Sequence, residues 1–261
     1  MKNKKKTSLE QPKEAANRQV PIAQHQLVKS GQLILQDLSS CLPLEFVSNA
    51  LKLDLELKRF RNKNKNIIFT GLDSTASPGN KTLQLSELCQ KVYALERDPK
   101  RAKVLHTRVE KANAQDVVSS LQVDFLDHQL DLKEDEHLKL IICDPSCSGS
   151  GMRLHGKENN LCSLKIPTPA EELERVKNLS RFQFKILAHA LNYSETVKYV
   201  SYSTCSVYQE EDEQIVKDVL KKFGDKWQIA PNMYEIVQKA FKAPKESSKT
   251  DELESYTAGI H

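Results

Sequence analysis

NIIFTGLDSTASPGNKTLQLSELCQKVYALE (66–96) is the stretch whose reading decides the fold. Its opening, NIIFTGLD (66–73), is a continuous apolar run with β-branched members that ends on an acid, the pattern of a buried strand. A turn of small residues, DSTASPGNKT (73–82), then leads into a segment from Lys81 to Gln90. Leucines at 83, 85 and 88 suit a helix lying against a sheet there. VYALE (92–96) restores the strand pattern and again ends on an acid. Strand, helix and strand over such a length make one parallel crossover unit.

The same alternation continues downstream. Pro99 to Asn113 reads as a helix with proline just inside its start, followed by strands LQVDF (121–125) and HLKLIICD (137–144). Pro169 to Leu191 is a second long helix and VKYVSYST (197–204) a further strand. Glu210 to Phe223 is a helix closed by Gly224, and WQIA (227–230) a last short strand. This rhythm predicts an α/β protein: a Rossmann-like, mostly parallel, doubly wound sheet with helices on both faces. Residues 1–30 are polar, basic and without period, so a tail lacking order is expected there. Residues 31–65 begin with GQLILQDLSSCLPLEFV (31–47), apolar enough to dock on the domain. Residues 66–232 are expected to form the main α/β domain and 233–261 a C-terminal tail.

In doubly wound sheets ligands bind beyond the carboxyl ends of the strands. The chain's polar motifs fall at that end, after the strands closing at 73, 96, 125, 144 and 204. The first loop lacks the three spaced glycines of a dinucleotide site. Asn80, between Gly79 and Lys81, breaks the Walker pattern. What remains is a small-residue turn whose backbone can approach a ligand at a helix start. Glu96 stands where an acid accepts from the hydroxyls of a ribose, and Asp124 where one accepts from an adenine amino group. The competing readings are a surface acid and a turn cap.

The 39 Lys and Arg exceed the 35 Asp and Glu by four, and the excess is unevenly spread. MKNKKK (1–6) and LKRFRNKNKN (57–66) are basic blocks of the kind that meet phosphates or simply face solvent. Six cysteines show no paired framework and no C-x-x-C, so neither a zinc knuckle nor a thioredoxin-type pair is expected, and no metal site. No apolar run is long enough to cross a bilayer, so no membrane partner is expected.

Cys41, Cys89, Cys143 and Cys162 read as small buried hydrophobes. Cys147 and Cys205 differ, because DPSCSGSGM (144–152) and YSTCS (202–206) follow consecutive strands and bring two thiols toward one pocket. These two stretches resemble motifs IV and VI of the Sun-family (NOL/NOP/Sun) RNA cytosine-C5 methyltransferases. The first loop is similar to their D-A-C-A-A-P-G-G/N-K-T, and GQLILQDLSSCLP to the segment before their catalytic domain. DPSC and PGNKT look like the branch that modifies large-subunit ribosomal RNA.

The resemblance implies S-adenosyl-L-methionine as cofactor and RNA, ribosomal RNA in particular, as partner. Cys205 would attack carbon 6 of cytosine, and Cys147 would assist release of the methylated RNA. Asp144 would hold a proton at N3, and Lys81 would steady the site. Cofactor contacts carry over to Thr75, Ala76, Ser77, Pro78, Gly79, Asn80 and Lys81, and to Glu96, Arg101, Asp124 and Asp144.

The chain departs from the family's pattern in places. Ser74-Thr75-Ala76-Ser77 replaces A-C-A-A, Glu96 replaces an aspartate, and no G-F-F-type final strand follows WQIA. A shortened or divergent copy fits these departures. The functional alternatives on the sequence are therefore an active methyltransferase and an RNA-binding ribosome-assembly factor with impaired catalysis. A nuclear, nucleolar location and action as a monomer are the expectations that go with either.

Overall fold

The computed structural model describes residues 21–53, 69–127, 132, 135–153 and 169–230. The predicted strand residues 66–68, Cys162, residues 1–20 and 54–65 of the expected N-terminal segments, and the tail from 231 onward lie outside the described residues. The chain divides into two compact units, Met1–Leu35 and Gln36–His261. Within the first, residues expected to lack order hold a 3₁₀ turn, Ile22–Gln24, and a one-turn helix α1, Gln26–Lys29. The His25 side chain starts α1 by accepting the Leu27 N–H.

The second unit is built on five strands: β1 (Thr70–Asp73), β2 (Lys91–Leu95), β3 (Val118–Leu121), β4 (Leu138–Cys143) and β5 (Tyr199–Tyr202). Their order is β3-β2-β1-β4-β5, and every neighbouring pair is parallel. The chain first builds outward from β1 to β3, then returns to place β4 on the other side of β1. That reversal makes a switch point between β1 and β4, where the two loops diverge and leave a crevice.

The helices are α2 (Leu38–Leu53), α3 (Asn80–Ser86), α4 (Pro99–Lys111), α5 (Ser150–Arg153), α6 (Pro169–Leu191) and α7 (Glu213–Phe223). Strand alternation sorts them between two faces. Leu140 and Ile142 of β4 join one core with Leu44, Val47 and Leu51 of α2, Leu85 of α3, and Leu105 and Val109 of α4. Ile141 and Cys143 join the other with Leu72, Phe125, and Ile186 and Ala190 of α6. Every residue of β4 is buried, which is why its sequence is apolar apart from Lys139 rather than an alternation. Helix α7 covers α6 through Ile215 and Val219 against Leu187.

Two predicted strands are corrected. The third is Val118–Leu121, not 121–125. Leu121, Val123 and Phe125 mimic a strand by alternating, but the chain turns tightly where the Val123 N–H bonds the Leu121 carbonyl. Phe125 then packs under the sheet edge from a loop. WQIA is irregular: Trp227 donates its indole N–H to the Leu191 carbonyl at 2.9 Å and so caps the end of α6. Among the described residues no strand follows β5. Helix α3 is also shorter than expected, ending at Ser86, and the chain turns before Cys89, which is buried beside Gly71.

Candidate active site

Strand β1 ends on Asp73, whose carboxylate is buried and receives the Thr82 hydroxyl at 2.7 Å and the Thr75 N–H at 3.2 Å. Burial outweighs those two bonds and pushes its pKa up to about 7. The loop that follows turns its hydroxyls inward. Ser74 donates to the Ile142 carbonyl at 2.9 Å, and Ser77 to the Arg101 carbonyl at 3.0 Å. Arg101 answers with a guanidinium bond of 2.8 Å to the Ser77 carbonyl and pairs with Glu96 at 3.3 Å. Gly79 precedes α3 at φ 106°, a conformation that L side chains avoid, and a Cβ there would meet Leu105 at 3.1 Å.

Beyond this loop lies a pocket of about 260 Å³. Ser74, Thr75, Glu96, Arg101 and Asp124 line its polar side, and Leu95, Val123, Phe125 and Ile186 its apolar side. Glu96 is buried; one carboxylate oxygen takes the Asp98 N–H at 3.0 Å and the other faces Arg101. Each oxygen keeps a lone pair for a further donor. Asp124, three residues past β3, accepts the Leu126 N–H at 3.0 Å and sits 3.4 Å from Arg97. Arg97 in turn lies over the Phe182 ring, 5.0 Å from its centroid.

The other half of the site follows β4 and β5, which are neighbours in the sheet. Asp144 is held at three points: Lys81 reaches one oxygen at 2.8 Å, the Ser203 hydroxyl donates to the other at 2.8 Å, and its own N–H donates to Thr75 at 2.9 Å. Lys81 also donates to the Ser40 hydroxyl at 2.9 Å, so helix α2 contributes directly to the site. Gln36 holds Ser40 through a bond of 2.9 Å to its carbonyl.

Cys147 and Cys205 stand with their sulfurs 2.8 Å apart, and the Cys205 N–H donates to the Cys147 sulfur at 3.3 Å. The Cys205 S–H, together with backbone N–H groups, pulls the Cys147 pKa down to about 7 against the opposing effect of burial. The Cys205 thiol moves the other way, upward, because its partner carries the charge first. A close thiol pair shares its first proton loss, so one thiolate is available near neutral pH. The two loops carrying them are zipped together. Ser206 lies 3.2 Å from both the Ser148 and Ser150 hydroxyls, and the Gly151 N–H donates to the Cys205 carbonyl at 3.0 Å.

The remaining candidate residues are placed as follows. Ala76 packs in the core with its N–H on the Leu95 carbonyl, and Asn80 binds Arg108. Pro78 and Gly79 shape the entry to α3. Thr75, Glu96, Arg101 and Asp124 line the pocket, whereas Ala76, Ser77, Pro78, Gly79, Asn80, Lys81 and Asp144 do not. Cys143 is buried in the core with its thiol pushed up to about 12 by desolvation, and Cys89 is buried with its thiol raised by the same cause. Cys41 lies in α2, half-buried.

Sequence reasoning did not single out Ser40, Gln36, Ser203, Gln183 or Glu211. Ser203 lies inside YSTCS and Ser40 inside GQLILQDLSSCLP, so the motifs contained these two without assigning them.

A family model described as 16S rRNA methyltransferase RsmB/F matches residues 60–252. The 25S rRNA (cytosine-C(5))-methyltransferase rcm1 of Schizosaccharomyces pombe is 34% identical over 223 residues, covering 78% of this chain and 41% of that protein. The 28S rRNA (cytosine-C(5))-methyltransferase of Mus musculus is 32% identical over 216 residues, covering 82% and 41%. The chain thus spans about two fifths of the length of these curated relatives. Among solved structures, NSun6 from Pyrococcus horikoshii, crystallised with SFG, superposes at a TM-score of 0.52 with 18% identity, covering 78% of this chain and 46% of that one. A methyltransferase homologue from the same organism gives 0.54 and 22%, covering 78% and 56%. At those identities the structural likeness concerns the fold.

Proposed function

The chain belongs to the 16S rRNA methyltransferase RsmB/F family, and from that membership we propose that it methylates carbon 5 of cytosine in large-subunit ribosomal RNA. The observation that carries the reading is the pair of sulfurs, 2.8 Å apart, on loops that leave the same end of the sheet as the Lys81–Asp144 pair and an acid-lined pocket. The large-subunit substrate is the one named in the yeast and mouse relatives.

The pocket fits S-adenosyl-L-methionine by its donor set. Glu96 offers lone pairs to the two ribose hydroxyls, Asp124 to the adenine amino group, and Phe125, Val123 and Ile186 an apolar wall for the base. Ser74 and Thr75, at the start of the first loop, line the pocket beside these groups. When bound, the cofactor supplies an electrophilic methyl on a sulfonium.

Carbon 5 of cytosine is a poor nucleophile, and the chain's own residues correct that. Cys205 passes its proton to the Cys147 thiolate 2.8 Å away, its sulfur forms a bond to carbon 6, and the ring's electron pair moves toward carbon 5, which becomes enamine-like. Asp144, oriented by Lys81 and Ser203, holds a proton at N3 and so takes up the charge that the addition creates. After methyl transfer the carbon 5 proton passes to solvent, its bonding pair re-forms the ring's double bond, the sulfur–carbon bond breaks, and that electron pair returns to Cys205. Cys147 assists that release. The cytosine enters unstacked, because neither thiol can reach carbon 6 inside a duplex.

Work on ribosomal RNA goes with a nuclear, nucleolar address, for which MKNKKK (1–6) is the sequence signal. The deciding assay combines the chain, in vitro transcribed large-subunit ribosomal RNA and methyl-labelled cofactor. Label at cytosine carbon 5 that disappears with Cys205→Ala is the expected result. No label with the unaltered chain, or equal label with the variant, overturns the proposal. Calorimetry with S-adenosylmethionine then separates an inactive assembly factor that keeps the pocket from one that has lost it.

A further inference from the structure

The two peptide groups flanking Cys147 are both anchored from behind. Gln183, on α6, donates its side-chain amide to the Ser146 carbonyl at 3.1 Å. Glu211, just before α7, accepts the Ser148 N–H with both carboxylate oxygens, at 3.0 and 3.2 Å. The anchors join each other through a Gln183 amide bond to Glu211 of 2.9 Å. Tyr202, at the end of β5, donates to the Glu211 carbonyl at 2.6 Å and ties the same residue to the strand that leads to Cys205. Glu211 and Gln183 are each 0% exposed.

Burying a carboxylate is costly, and closing a loop over a helix start does not require one; an apolar side chain would serve. A fully bonded buried acid is instead the means by which a loop is held in one geometry. Here that geometry is the position of one thiol relative to another. We infer that Glu211, together with Gln183, is a positioning residue that sets Cys147 against Cys205 for release of the methylated RNA. This rests on the reading that Cys205 attacks and Cys147 releases.

Cys205 has anchors of its own. Thr204 donates to Asp212 at 2.5 Å, and the Cys205 carbonyl accepts the Gly151 N–H. Disturbing Glu211 therefore acts first on Cys147. Glu211→Gln conserves size but not donor logic. One oxygen, Oε1, accepts both the Ser148 N–H and the Gln183 amide; if the glutamine oxygen takes that place, its NH₂ stands where Oε2 accepts the Ser148 N–H at 3.2 Å, and the charge is gone. Two donors meet, and the loop carrying Cys147 shifts.

The test measures covalent RNA–protein adduct on denaturing gels. The full chain is mixed with in vitro transcribed large-subunit ribosomal RNA and S-adenosylmethionine, with Cys147→Ala as reference. Glu211→Gln is expected to raise standing adduct about tenfold over the unaltered chain, the scale of ~1.4 kcal/mol in the release barrier. Gln183→Met, which removes the amide but keeps the volume, is expected to raise it in the same direction. S-adenosylhomocysteine binding by calorimetry is expected to stay unchanged in both.

Adduct in Cys147→Ala but in neither buried-pair variant overturns the proposal alone. A parallel loss of cofactor binding and activity in both variants, without adduct, assigns the pair a merely structural role and overturns it too. If Glu211→Gln alone loses cofactor binding, Gln183→Met decides: adduct with binding intact supports the inference, and no adduct overturns it. Absence of adduct in Cys147→Ala itself overturns the release role and this proposal with it.

Discussion

The loop after β1 and the loops after β4 and β5 leave the same edge of one sheet, but they direct their polar side chains oppositely. In the first, Ser74, Ser77 and Thr82 are buried and bond inward, to Ile142, Arg101 and Asp73. Of this loop only Ser74 and Thr75 line the pocket, and its path is set by Gly79 and by the Arg101 bond to the Ser77 carbonyl. In the second, the hydroxyls of Ser148, Ser150 and Ser206 bond one another, and the reactive atoms of Cys147 and Cys205 remain accessible. One region works by the path of its chain and the other by the identity of its atoms. This explains why Ser74-Thr75-Ala76-Ser77 can replace A-C-A-A, since the added hydroxyls of Ser74 and Ser77 find carbonyls rather than the ligand.

The largest effect belongs to the second region. Cys205→Ser puts a hydroxyl of similar size in place of the soft sulfur proposed as nucleophile. Methyl transfer to RNA is expected to fall by more than ~10³-fold, as when other covalent nucleophiles are removed. Steady-state labelling checks it. Retained activity would erase the distinction between the two regions.

Asp73, in the first region, affects stability instead. Its folded pKa is raised to about 7 from an ordinary carboxylate value, so the folded state holds a proton that the unfolded chain has already lost. Stability therefore falls as pH rises from about 4 to about 7 and levels above that, by a few kcal/mol in order of magnitude. Asp73→Asn carries no such proton. Urea midpoints of the two proteins should lie close at about pH 4 and diverge in favour of the variant by about pH 8. A constant difference across that range would show that Asp73 is not desolvated in this way.

Lys81 joins the regions, since it starts from α3 and ends on Asp144. Lys81→Met should lower turnover about 10²-fold, the scale of losing one charged group at a developing charge. Ser40→Ala, which removes only the second partner of the amine, should cost about fivefold, close to one hydrogen bond. Equal losses would mean that α2, rather than the lysine, positions Asp144. The thiol pair is addressed by alkylation. Cys147 should react with iodoacetamide from about pH 7 upward, because the Cys205 S–H favours its thiolate. Cys205→Ser replaces that donor with a weaker acid, so the onset should move up by about one pH unit.

The parts of this arrangement differ in how far they could be read from residues alone. β4 was legible because burial on both faces leaves a run that is apolar apart from Lys139, and α6 because Pro169 marks its start. β3 was misplaced because it is an edge strand whose VSSL is weakly apolar, whereas the alternating loop beyond it looks more strand-like than the strand. Motif spacing identified both cysteines. Their contact also needed β4 and β5 to be neighbours, which parallel alternation predicts. The supports were not legible: Ser40 meets Lys81 across 41 positions, Gln183 meets Glu211 across 28, and Glu211 meets Ser148 across 63. Such pairings are set by tertiary packing, and no local pattern encodes them.

The smallest effect gives the most exacting test of the comparison. Ser77→Ala removes one buried hydrogen bond, to the Arg101 carbonyl, and leaves intact the Arg101 bond to the Ser77 backbone and the Arg101–Glu96 pair. The loop should therefore keep its path. Thermal midpoint is expected to fall by about 2–4 °C for the ~1 kcal/mol lost, with the cofactor KM and kcat unchanged. Alanine also stands at this position in the Sun-family pattern, so the substitution restores a residue that the same backbone accommodates. If Ser77→Ala instead weakens cofactor binding as strongly as Glu96→Ala, the hydroxyl contacts the ligand directly. The first loop would then depend on atom identity as the thiol loops do.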